Sequence, residues 1–118
     1  MKRLGRDTDG ITQISLDALK LLKEEGYKLE VVRIYGTTTM DISSVFFFGK
    51  NLEYFYVASG FSIGYGGEGP HGLWKAIRLW HPDKLGEDFW KTGISQLSTE
   101  NDWTWSPEKG WEVIISNG

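Results

Sequence analysis

The chain is expected to form a single α+β domain over residues 1–118, and three features predict it. Apolar residues recur at helical spacing between residues 11 and 25. Strand-sized runs rich in Val, Ile, Phe and Tyr follow. Near the end, two further runs flank a turn built from proline and glycine. A length of 118 residues suits one compact domain, and no repeat or linker divides it. The expected order is an N-terminal helix, a three-stranded antiparallel sheet, a second helix after a Gly-rich loop, a short third helix and a C-terminal β-hairpin. The helices are expected on one face of the sheet.

Each element has its own signal. Met1 to Gly10 is charged and carries Gly5 and Gly10, so it reads as a short edge strand or a loose arm. The first helix is expected from about Thr12 to Glu25, because Ile11, Ile14, Ala18 and Leu22 repeat at helical spacing with Leu21 beside them. Asp9 or Thr12 suits its N-cap, Gly26 its left-handed C-cap, and Lys20 and Lys23 its dipole. Tyr27 to Tyr35 is β-favouring, and Gly36 to Asp41 is a threonine-rich turn. Val45–Phe48 and Leu52–Ala58 read as a hairpin about Gly49-Lys50-Asn51. The first of these runs is apolar on both faces, which predicts a central strand covered on each side.

Leu73 to Trp80 is helical in pattern and ends near His81-Pro82, since the residue before a proline resists helix geometry. Between Pro82 and Leu97, Leu85, Phe89 and Trp90 share a helical face, interrupted by Gly86 and Gly93. Trp103-Thr104-Trp105 and Trp111 to Ile115 then flank Ser106-Pro107-Glu108-Lys109-Gly110. Pro107 suits the second position of a type I turn and Gly110 a left-handed residue after it. Trp103, Trp105, Trp111, Val113 and Ile115 would share one hairpin face, as core for most of the tryptophans and interface for one or two.

Composition narrows the function. The formal net charge of −3 gives no general attraction to nucleic acid, so a nucleic-acid role needs a local basic patch and no long nucleic-acid partner is expected. Helix-strand-strand-strand-helix is also the order of double-stranded RNA-binding domains. Those domains cluster lysines where their second helix begins; here that place reads Gly69-Pro70-His71-Gly72-Leu73-Trp74-Lys75, so the shared order implies no RNA binding. The absence of cysteine excludes disulfides, thiolate metal sites and cysteine nucleophiles. No secretory signal opens the sequence, and no apolar run approaches the roughly 20 residues that span a bilayer. A cytoplasmic protein without a membrane partner is expected.

The segment Gly64-Tyr65-Gly66-Gly67-Glu68-Gly69-Pro70-His71-Gly72-Leu73 is the strongest candidate site. Glycines allow close backbone approach, and a glycine-rich loop feeding a helix N-terminus is a common phosphate cradle. Behind it, His71, Lys75 and Arg78 share a helix face, beside a core stripe of Leu73, Ala76, Ile77 and Trp80. Gly64, Tyr65, Gly66, Gly67, Gly69, His71, Gly72, Trp74, Lys75 and Arg78 are therefore the expected ligand-binding residues, with Tyr65 or Trp74 stacking on a base or sugar. The competing reading is structural. Glycine and proline punctuate strand-to-helix joints, Glu68 can itself occupy the dipole position, and the pattern matches neither the Walker loop nor the dinucleotide fingerprint.

Other chemistry finds little purchase. His71 and His81 do not share a helix face, so no metal is expected, and no cofactor is implied. Ser59, Ser62 and Ser95 lack a nucleophile-elbow setting. Glu68 with His71 is the best acid/base pair. The expected function is thus a non-catalytic binder of a small phosphate-bearing ligand, a nucleotide or cyclic nucleotide signal, in the manner of a sequestering protein in phage or host defence. The alternatives are an acidic inhibitor or immunity-type protein covering a basic protein partner, and a small enzyme using Glu68 and His71. An exposed strand edge near the aromatic hairpin would favour a homo-oligomer.

Overall fold

The strongest β-formers build the centre of the sheet, and charged or mixed segments build its edges. The computed structural model describes residues 2–35, 44–83 and 93–114. Its strands are β1 (Lys2–Arg6), β2 (Val31–Ile34), β3 (Val45–Phe48), β4 (Tyr54–Ala58), β5 (Trp103–Ser106) and β6 (Gly110–Val113), and its helices α1 (Thr12–Glu24) and α2 (Glu68–Arg78). One six-stranded mixed sheet runs in the order β1-β4-β3-β2-β5-β6. β1 pairs with β4 in parallel, and the other pairs are antiparallel. A radius of gyration of 13.1 Å is that of one compact unit of this length.

This corrects the expected three-stranded antiparallel sheet with a separate hairpin. The β5–β6 hairpin joins the same sheet, because β2 pairs Val32 with Trp105 and Ile34 with Trp103. The Met1–Gly10 segment supplies the edge strand of its two readings, and does so in parallel. Gly5 fits there because a Cβ would lie 3.3 Å from the Tyr56 ring. The strand expected from Tyr27 shortens to Val31–Ile34, since the backbone N–H and C=O of Lys28 both bond the Tyr54 hydroxyl at 3.0 and 3.1 Å instead of a ladder. The Gly36–Asp41 turn, the helical face of Leu85, Phe89 and Trp90, and Ile115 lie outside the described residues.

Both helices pack on the inner sheet face. Leu16, Leu19, Leu73, Ala76 and Ile77 meet Val32, Ile34, Val45, Phe47, Ala58 and Trp105, all buried. In α1 the buried stripe is Ser15, Leu16 and Leu19, whereas Ile11, Ile14 and Leu21 are 49%, 39% and 60% exposed. Of the expected stripe, Ala18 and Leu22 pack against the core, while the Ile11, Ile14 and Leu21 side is turned outward because Ser15 faces inward. α1 also has no side-chain N-cap, so neither Asp9 nor Thr12 serves as one. Gly26 does close the helix at φ +97°, with Gly26 N–H donating to Lys23 and Tyr27 N–H to Leu22.

β3 is central as expected, but only its inner face lies under the helices. The outer face carries Phe46, Phe48 and Phe55 packed on one another, with ring centroids 5.6–6.3 Å apart. The hairpin registers Trp105 with Trp111 and Trp103 with Val113 on the inner face. Of these, only Trp105 is fully buried, at 1% exposure, while Trp103 and Trp111 pack at the margin of the core.

Candidate functional site

α2 begins at Glu68, so more than half of the Gly64–Leu73 segment is helix. Pro70 is the third helical residue, still within the turn whose N–H groups have no intrahelical acceptor. Two of the glycines are explained by packing. A Cβ on Gly69 would lie 2.0 Å from Ser62 Oγ, and one on Gly72 would lie 2.2 Å from Thr12 Cγ2, where α2 crosses α1. Gly64 is explained by its left-handed φ of +84° and by its N–H, which donates to the Ile94 carbonyl at 3.1 Å.

The head of the helix is different. Gly67 is the N-cap, and no side chain caps it. Gly66 has no positive φ, is exposed, and a Cβ there would meet no described atom within 4 Å. The Tyr65 ring folds against Gly67, where a Cβ would lie 2.2 Å from Cε2, and its hydroxyl accepts a hydrogen bond from Ser62 Oγ at 3.1 Å. That ring is 53% exposed. Glu68 is exposed in the first turn.

The stripe behind the head brings His71 and Arg78 onto one ring, Trp74, and leaves Lys75 exposed. At about 1.5 Å rise per residue, Arg78 sits about 15 Å along the axis from Glu68. Its guanidinium lies 4.7 Å from the Trp74 ring centroid, and its half-buried side chain leaves Nε without a hydrogen-bond partner among the described residues. His71 stacks on Trp74 at 5.1 Å and 19°. Trp74 itself is only 6% exposed, so it offers no face for a base. Lys75 is exposed. The ten expected residues thus divide: Tyr65, Gly66 and Lys75 are exposed, Gly67 is half-buried under the Tyr65 ring, Gly64, Gly69 and Gly72 serve the fold, and His71 and Arg78 pack against Trp74. His81 Nε2 lies 2.9 Å from the Leu29 carbonyl oxygen, away from this segment.

Sequence reasoning missed a second polar cluster at the C-terminal ends of the parallel strands β1 and β4. The Asp7 carboxylate accepts hydrogen bonds from the hydroxyls of Ser15, Tyr56 and Ser59 and from the Ser59 N–H. Ser59 Oγ in turn accepts from Gly10 N–H, and Ser15 Oγ from Gly60 N–H, both at 3.0 Å. Burial alone would raise the Asp7 pKa, but these bonds together outweigh it and hold the carboxyl below its ordinary range. Burial, then the bond to Asp7 and its charge, push Tyr56 well above the usual phenol range. The one legible signal was Ser15, a hydroxyl set among the leucines of a helix. Ser15 must face inward to reach Asp7, and that turns α1 away from the stripe its isoleucines suggest.

The Asp7 corner positions α2. Thr12 Oγ1 donates to the Gly60 carbonyl at 2.7 Å, and a Cβ on Gly60 would lie 2.4 Å from the Ile11 carbonyl oxygen. β4, α1 and α2 therefore meet through Gly60, Thr12 and Gly72. Among the described residues, no group of three His, Asp or Glu side chains is placed to hold a metal ion, and no helix is long and apolar enough to cross a membrane. No protein-family model, curated protein or solved structure matches the chain, so its chemistry has to be argued from this geometry.

Proposed function

We propose that the protein is a non-catalytic binder that holds a phosphate-bearing small ligand, a nucleotide or cyclic nucleotide, at the head of α2. The observation that carries the reading is Gly66: neither φ nor packing accounts for it, and it stands just before an uncapped helix. Backbone N–H groups there, aided by the helix dipole, favour an anion. The exposed Tyr65 ring supplies a stacking surface, and the exposed Lys75 supplies charge along the helix. Glu68 sets the limit on affinity, because its carboxylate competes for the same dipole. Arg78 and Trp74 are assigned to each other rather than to the ligand. Capture without turnover is what a sequestering protein in phage or host defence requires.

Titration calorimetry against a panel of mononucleotides, cyclic nucleotides and dinucleotides tests this. At least one phosphate-bearing compound should bind, and Lys75→Ala and Tyr65→Ala should each weaken it about five- to tenfold, the range for one charge or one stacking contact. If no compound binds, or both variants bind as tightly as wild type, the reading fails.

A further inference from the structure

We propose that the outer face of the sheet is a separate binding surface for single-stranded nucleic acid. The register places Arg3 and Arg6 of β1, Phe55 and Val57 of β4, Phe46 and Phe48 of β3, and Val31 and Arg33 of β2 on that face. Neither α1 nor α2 contributes to it; their buried residues belong to the inner cluster. Tyr35, just past β2, packs edge-on against Phe46 with centroids 5.4 Å apart, and is 40% exposed. Phe48 is 5% exposed and serves as the floor, while Phe46 and Phe55 are half-buried and keep ring surface in solvent.

Charge decides the occupant. In a chain of net charge −3, the strand positions of this face carry Arg3, Arg6 and Arg33 against a single acid, Glu112 on β6. Arg3 and Arg6 are exposed. The Arg33 guanidinium lies 5.2 Å from the Phe48 ring centroid, with its buried Nε unpaired among the described residues. This is the local basic patch that an acidic chain needs for contact with phosphates. A second copy of the chain would set these arginines against their own kind, which disfavours self-stacking. An acidic peptide would satisfy the arginines and leave the rings without a specific role. Unpaired bases answer both features, because every base has a face to stack on an aromatic ring while its phosphate meets an arginine. A duplex keeps its bases stacked inside and cannot use the rings.

Fluorescence anisotropy with a labelled oligothymidylate about twelve nucleotides long tests the surface, beside a duplex of the same length and polyglutamate as competitor. Three phosphate contacts predict that log K falls against log salt with a slope of about −2. Tyr35→Ala should weaken binding about tenfold, and the Arg3→Ala/Arg6→Ala double variant should reduce the slope to about −0.7. Both changes are at exposed positions, so an unchanged melting temperature should accompany them. The proposal is overturned if the single strand does not bind at the lowest salt, if the duplex binds as tightly, or if neither variant changes binding. Competition by polyglutamate as strong as by unlabelled oligonucleotide would assign the face to an acidic protein. Dimerisation abolished by Tyr35→Ala would assign it to a second copy. Lys75→Ala should leave oligonucleotide binding unchanged, which separates this surface from the head of α2.

Discussion

The Asp7 corner and the head of α2 are both polar, both rich in small residues, and joined through Gly60 and Gly72. They differ in saturation. At the corner, the Asp7 carboxylate accepts hydrogen bonds from four donors, and the Ser15 and Ser59 hydroxyls among them accept backbone N–H groups in turn. At the head, among the described residues, no side chain caps the helix and none lies within 4 Å of where a Gly66 Cβ would be. A polar cluster whose bonds close on one another holds a fold together, whereas one left open at a helix head can still accept a ligand. The corner is read as structure and the head as site for that reason alone.

Substitutions can break or sharpen this contrast. The largest effect is expected from Gly60→Ala, whose new methyl would meet the Ile11 carbonyl, a backbone atom that cannot swing aside. A loss of about 3 kcal/mol is expected, on the order of 10 °C in Tm by calorimetry. Asp7→Ala comes next, at about 2–3 kcal/mol in urea unfolding at neutral pH, because it leaves buried hydroxyls without their acceptor. A small loss there would mean that the corner is not the structural tie described here.

The corner also sets a pH window. Asp7 has a depressed pKa in the folded state, so its contribution is present above the unfolded value of about 4 and is lost as pH falls through the lower folded value. Tyr56 is shifted upward, so its contribution is full below about pH 10 and fades as pH rises beyond that. Wild-type stability should therefore exceed that of Asp7→Ala most between those limits, and the two should converge in acid. Tyr56→Phe should cost about 1 kcal/mol and bring the Asp7 titration, followed by carboxyl NMR, back towards its ordinary value. The smallest effect on stability belongs to Gly66→Ala. It should stay within about 0.5 kcal/mol of wild type, yet weaken the nucleotide ligand about tenfold if the backbone there approaches a phosphate.

The same contrast explains what was legible from residues alone. The Leu73-Ala76-Ile77 stripe, the central β3 and the Ser106–Gly110 turn could be read because periodicity and turn chemistry are local. β1 was legible only as one of two readings, since a charged segment containing Gly5 has no apolar alternation, and its parallel pairing with β4, some fifty residues away, left no local signal. The inner face of α1 lies off its isoleucine side because Ser15, bonded to Asp7 just before the helix, packs inward. In the Gly64–Leu73 segment the density of glycine was visible, but its division was not. Gly69 and Gly72 answer to neighbours from other parts of the chain, and only the packed structure separates them from Gly66.

Amide NMR with an added nucleoside diphosphate gives the sharpest test of the anion site proposed at the head of α2. Saturable shifts are expected at the Gly66, Gly67 and Glu68 amides, with the Ser59 and Gly60 amides of the Asp7 corner unmoved. A saturated complex in which those three amides do not shift, or no saturable change at all, would contradict it.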